Sequence, residues 1–200
     1  MAKRIITVSR QFGSGGRSIG KEAAARLGIK YYDKELVEQV ADETGFHPGF
    51  IEENGEFAPG RSTLSYSFSV MGVPGIMNGM SASDFLWCMQ RDVILQLAEQ
   101  EPCVIVGRCA DFILKDRDDC LNVFIYADMD FRKDRIVRLY GESEKSPEKR
   151  LNEKDKKRRI NYKHYTDREW GAPDNYDIIL NSGKLGMEKC VDIICDLYKE

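Results

Sequence analysis

Apolar positions along the chain come in short blocks whose period switches between strand-like and helix-like. Residues 4–8 form a β-branched run ending in Ser9, the pattern of a strand buried on both faces in a parallel sheet. A glycine-rich turn follows at once. Across Gly16–Leu27, Ile19, Ala23 and Leu27 fall four apart on one face, and Gly28 comes next, as in a helix closed by a C-terminal glycine. Lys30–Tyr32 predicts a short second strand. Asp33 then caps a helix to about Thr44, with Leu36, Val37 and Val40 inward and Gly45 after it. Further on, residues 84–100 place Phe85, Met89, Val93 and Leu97 four apart on a long amphipathic helix. Strands at Cys103–Val106, 121–127 and 176–180 alternate with helices running from Arg108 to about Lys115, over 130–140, over Pro147–Thr166 and over 186–198. Strands alternating with helices throughout predict an α/β fold with a parallel sheet of about five strands and helices on both faces.

One stretch breaks this rhythm. Residues 46–83 carry six glycines, three prolines and a serine-rich run at 62–69, and neither period survives there. The expectation is a mobile excursion with one short helix near 48–54. Its apolar tip (Phe68, Val70, Met71, Ile76, Met77, Met80) folds against a substrate, the core or a second subunit.

Composition narrows the function. Two hundred residues with 42% hydrophobic content suit one domain with a real core. Thirty basic against 33 acidic residues give a net charge of −3, so no global field recruits nucleic acid or an anionic membrane. Any phosphate binding has to be local. Apolar runs fall far short of the roughly 18 residues needed to span a bilayer. The opening MAKRIITVSR lacks the h-region of a secretory signal, and a cytoplasmic location is expected. The six cysteines show no CxxC spacing and the two histidines, His47 and His164, lie far apart. Reduced, mostly buried thiols are therefore expected, ahead of a zinc or Cys–His site.

The turn Gln11-Phe12-Gly13-Ser14-Gly15-Gly16-Arg17-Ser18, between the first strand and first helix, is the most informative segment. Small residues there let backbone amides curl around an anion, and the helix N-terminus adds partial positive charge. Gly13, Ser14, Gly15, Gly16, Arg17 and Ser18 are the candidate phosphate cradle. Against the phosphate-loop pattern GxxxxGK[ST], Gly16 and Ser18 match, while Gln11 replaces the first glycine and Arg17 the lysine. Arg17 can supply the lysine's charge, with Lys21 one turn on as a compensating cation or a solvated surface residue. Ser18 would ligate Mg²⁺ carried on a nucleoside triphosphate. A dinucleotide fingerprint is the competing pattern, but its third glycine would fall at Ser18.

Two more constellations carry charge. Arg108 follows a buried strand and Gly107, so it points to the crevice beyond the strand ends and suits a monophosphate acceptor. Its structural alternative is a pair with Asp111 or Asp116. In the helix around Lys154-Asp155-Lys156-Lys157-Arg158-Arg159, Asp155 shares a face with Arg158 and Arg159 and can hold one of them. Those arginines either neutralise a transferring phosphoryl group or simply solvate the helix.

Taken together, ITVSRQFGSGGRSIG, LGIKYYDKELV, VIVGRCADFIL, LNVFIYA with its basic helix, DKKRRINYKHYT and YDIILNSGKLGMEKCVDII resemble the cytidylate kinase-like branch of the P-loop nucleoside monophosphate kinases over nearly the whole chain. The resemblance implies one three-layer P-loop kinase domain over 1–200, with a mobile acceptor-side excursion at 46–83 and a lid at 143–168. It implies transfer of the γ-phosphoryl group of ATP, with Mg²⁺, to a nucleoside monophosphate such as CMP or dCMP. Carried over by position, Arg17 and Ser18 match the P-loop lysine and hydroxyl. Asp33 and Arg108 match acceptor-side residues, and Asp155 and Arg158 a D-x-x-R pair in the lid, with Arg159 beside them. No nucleic acid or membrane partner is expected, and a homodimer through 46–83 is possible. The departures (no loop lysine, no leading glycine, GRCAD for GRD, an unfamiliar excursion) keep open two alternatives: a kinase for another small molecule, and a non-catalytic nucleotide-binding regulator.

Overall fold

The computed structural model describes residues 3–49, 51, 55 and 80–200. In chain order the elements are β1 (Ile5–Arg10), α1 (Gly16–Leu27), β2 (Lys30–Tyr32), α2 (Lys34–Thr44), α3 (Ala82–Gln100), β3 (Cys103–Val106), α4 (Ala110–Ile113), β4 (Cys120–Tyr126), α5 (Met129–Tyr140), α6 (Pro147–Thr166), β5 (Ile178–Asn181), α7 (Ser182–Leu185) and α8 (Met187–Lys199). The five strands are all parallel in the order β2-β3-β1-β4-β5. The central position of β1 explains its uninterrupted apolar run, because all six of its residues are buried.

Alternation along the strands sends side chains to two cores. Ile6, Val8, Val104, Val106, Val123, Ile125 and Leu180 pack with Ile19 and Ala23 of α1 and Val191 and Ile194 of α8. Ile5, Cys103, Ile105 and Cys120 pack on the other face with Leu36 and Val40 of α2 and Val93, Ile94 and Leu97 of α3. Helices therefore cover both faces, as the pattern predicted. Five cysteines are buried, Cys88 is half-buried and none is bridged. Burial pushes the thiols of Cys103 and Cys120 up to about 12, which makes them inert hydrophobes. Among the described residues, no helix is long and apolar enough to cross a membrane.

The excursion at 46–83, with its apolar tip, lies largely outside the described residues; of the helix expected near 48–54, residues 48, 49 and 51 are described and are helical. At its two ends, Ile51 is buried in the α2–α3 core and Met80 is exposed.

Helix α6 spans most of the segment 143–168 that the resemblance implies as a lid. Ser146 caps its first turn ahead of Pro147, and its charged length is pinned along one side. Asp155 accepts from the Phe12 amide at 2.7 Å. Arg158 donates to the Arg10 carbonyl at 3.1 Å, and Tyr162 donates to Asp111 at 2.6 Å.

Candidate active site

The turn after β1 starts α1 with Gly13 and Gly15 both in the left-handed region (φ 81° and 85°). At Gly13 a side chain would also stand 3.0 Å from the Arg132 carbonyl of α5, so glycine is required there twice over. The loop is braced from beneath. Ser182 donates to the Ser14 carbonyl at 2.6 Å, and Gln11 Oε1 accepts from the Ala127 amide at 3.3 Å. The backbone of Phe12 is gripped at both its amide and its carbonyl. Arg132 donates to the Phe12 carbonyl at 3.3 Å and to Asp155 at 2.6 Å, while Asp155 takes the Phe12 amide.

This loop forms one wall of a cleft of about 720 Å³. Seven cationic side chains line it (Arg10, Arg17, Arg108, Arg135, Arg150, Lys154, Arg158) against two carboxylates, Asp33 and Glu153. At its mouth Phe12 stacks on Tyr140 with ring centroids 5.8 Å apart, and the Lys154 ammonium sits 4.5 Å over the Phe12 ring.

The cleft brings together most of the residues singled out from the sequence. Asp33 occupies the N-cap position of α2 but makes no capping hydrogen bond. Its carboxylate instead accepts from Arg17 Nε at 2.6 Å and pairs with that guanidinium. Arg17 thus reaches across to the end of β2. The Ser18 hydroxyl faces the cleft, where Arg135 donates to it at 3.0 Å. Arg108 is buried and hydrogen-bonds the Ile51 carbonyl at 3.0 Å and Gln90 at 3.1 Å. Its expected structural partner Asp111 goes elsewhere, accepting from Ser9 at 3.1 Å and Tyr162 at 2.6 Å. Burial pushes the Asp111 carboxyl up, against the pull of those two hydrogen bonds. Gly107, Arg108 and Cys109 take three successive left-handed conformations (φ 76°, 58°, 53°), which turns Arg108 back over the ends of β1 and β3.

Two expectations need correction, and one open alternative is decided. Arg158 lines the cleft, but Arg159 is exposed and borders a separate cavity with Phe124, Tyr126 and Trp170. Adjacent helical residues diverge by about 100°, so only one of the two can face the loop. Asp155 is not primarily the holder of Arg158, whose nearest approach is 4.0 Å. It is buried against Arg132 and the loop peptide. Lys21 is exposed on α1 and is absent from the cleft lining. The sequence reading also missed Arg10, Arg135 and Arg150. Arg10 directly precedes the loop and Arg135 lies one turn after Arg132, and those positions were the available signals.

A model of the cytidylate kinase-like family matches residues 5–184. The chain belongs to the cytidylate kinase-like family. Within reach of that family, it is 29% identical over 196 residues to a cytidylate kinase of Archaeoglobus fulgidus, covering 94% of this chain and 91% of the relative. An uncharacterized protein from Eubacterium ventriosum superposes with a TM-score of 0.73 at 27% identity, over 98% of each chain. Shikimate kinase from Acinetobacter baumannii, solved with shikimate, superposes with a TM-score of 0.55 at 16% identity, over 98% of this chain and 92% of that one. That last likeness is one of fold. By family and fold the protein is a nucleotide-dependent P-loop kinase.

Proposed function

We propose that the protein transfers the γ-phosphoryl group of ATP to a nucleoside monophosphate, with CMP or dCMP as the acceptor that its likeness to a cytidylate kinase suggests. The observation that carries this reading is the seven-to-two excess of cations in one cleft that joins the glycine loop to Arg108. A phosphate monoester brings roughly −1.5 to −2 charge at neutral pH. Two phosphorylated substrates therefore use a surplus that a neutral hydroxyl acceptor would leave largely uncompensated.

In this reading the amides of Gly13–Ser18 and the start of α1 hold the donor phosphates, with Arg17 and Ser18 at their edge. ATP enters as its magnesium complex. The Ser18 hydroxyl would be the protein's ligand to that ion, which would neutralise charge on the phosphates it is bound to. Asp33 and Arg108 orient the acceptor from the β2–β3 side, and Arg158 faces the phosphoryl group in flight. Positioned cations are what this reaction needs, because charge spreads over the transferring oxygens without covalent help from the protein.

A coupled assay of ATP consumption against a panel of nucleoside monophosphates, nucleosides and sugars tests the proposal. Turnover with CMP or dCMP well above the rest supports it. Preference for an unphosphorylated acceptor, or no turnover with any of them, overturns it in favour of a different small-molecule kinase or a nucleotide-binding regulator.

A further inference from the structure

The cation that a phosphate loop usually carries at the start of its helix is, in this chain, Arg17, and Arg17 is turned aside. Its side chain is 42% exposed and its guanidinium is held by Asp33, at the acceptor-side end of β2. Arg10 is placed differently. It is the last residue of β1, only 6% exposed, yet it lines the same cleft as the loop.

The loop is shaped around it. A Cβ on Gly16 would stand 2.5 Å from the Cβ and 3.0 Å from the Cγ of Arg10, so the second fixed glycine of the motif makes room for the Arg10 stem. The Arg10 carbonyl is fastened by Arg158 at 3.1 Å. Arg10, Arg108 and Arg158 together border both the main cleft and a small inner cavity behind it. Arg10 therefore stands between the donor loop and the acceptor-side arginine, at the C-terminal end of the central strand, where ligands of open parallel sheets gather.

We infer that Arg10 is a further phosphate-binding catalytic residue. It takes over the loop lysine's contact with the transferring γ-phosphoryl group, which leaves Arg17 to serve the Asp33 side of the cleft. The inference rests on the nucleotide-kinase reading, so its first test needs no turnover. Equilibrium titration with the β,γ-imido analogue of ATP and with ADP gives an affinity ratio that reports the γ-phosphate alone. In Arg10→Gln this ratio is expected to fall about tenfold or more towards unity, whereas Arg10→Lys, which keeps the charge, loses less. An unchanged ratio in folded Arg10→Gln overturns the inference.

Should Arg10→Gln fail to fold, the wild-type protein still decides. The Arg10 Nε–Hε resonance is expected to shift with the imido analogue and not with ADP. The same response to both overturns the assignment. Turnover then separates the two readings: a wild type that discriminates ATP from ADP through Arg10 but phosphorylates no monophosphate keeps the Arg10 inference and loses the acceptor.

Discussion

Asp33 and Arg17 hold each other at the cleft floor, and each is thereby kept from doing something else. The carboxylate competes with ATP for the guanidinium, so Asp33→Asn is expected to leave ATP affinity unchanged or tighten it severalfold, while raising the acceptor KM about tenfold. Separate titration of the two substrates checks both halves. Asp111 gives a pH signature. Its carboxyl is pushed up by burial, so it is protonated more readily folded than unfolded. Its contribution favours folding below the ordinary carboxylate range and is lost as pH rises through the raised value. Asp111→Asn cannot ionise. Its urea midpoint relative to the wild type should therefore rise as the pH is raised above the ordinary carboxylate range, about 4, and a constant difference would show that the carboxyl titrates as it does in the unfolded chain.

Helix α6 carries two charged residues that look alike in sequence and separate in three dimensions. Asp155 and Arg132, both buried, clamp the backbone of Phe12, so Asp155→Ala leaves a buried guanidinium and is expected to cost about 3–5 kcal/mol. Asp155→Asn keeps an acceptor for the Phe12 amide and should cost less, and denaturant midpoints will rank the two. Arg158→Ala should behave in the opposite way. Its hydrogen bond to the Arg10 carbonyl is worth about 1 kcal/mol, but turnover should drop by at least about 10², approaching the 10³–10⁵ attributed to arginines that meet a transferring phosphoryl. A helical wheel shows that Asp155 and Arg158 share a side. It cannot say what lies across from that side, and this is why Asp155 read as the arginine's holder when its partners come from the loop and α5. Arg10 was hidden for a related reason. An arginine closing an apolar strand reads as the strand's polar end, and only the packing of Gly16 against its stem reveals which way it turns.

Across the whole molecule the order of strands and helices was legible because the inner strands β1, β3 and β4 are largely buried and so read as short apolar blocks between helical patterns. The pinning of α6 was not legible, since it depends on contacts with β1, α4 and α5, which are brought together only by the fold. It has a dynamic consequence. With Asp155, Arg158 and Tyr162 all engaged, amides in the middle of α6 should exchange slowly in the ligand-free protein, and ATP alone should add little protection. Fast exchange at 152–162 without ligand, slowed only by both substrates together, would restore α6 to the role of a closing lid.

The left-handed run at 107–109 sets two demands on this chain against each other. Gly107 adopts its conformation without penalty, but Arg108 and Cys109 carry side chains there, at about 1–3 kcal/mol each. A mutant library ranked on heat resistance alone should therefore enrich glycine or asparagine at 108 and 109. The survivors would lack the guanidinium that faces the cleft. Ranking the same library on phosphoryl transfer should bring arginine back at 108, so a drift at these two positions would record whether a lineage has been kept for its chemistry or only for its fold.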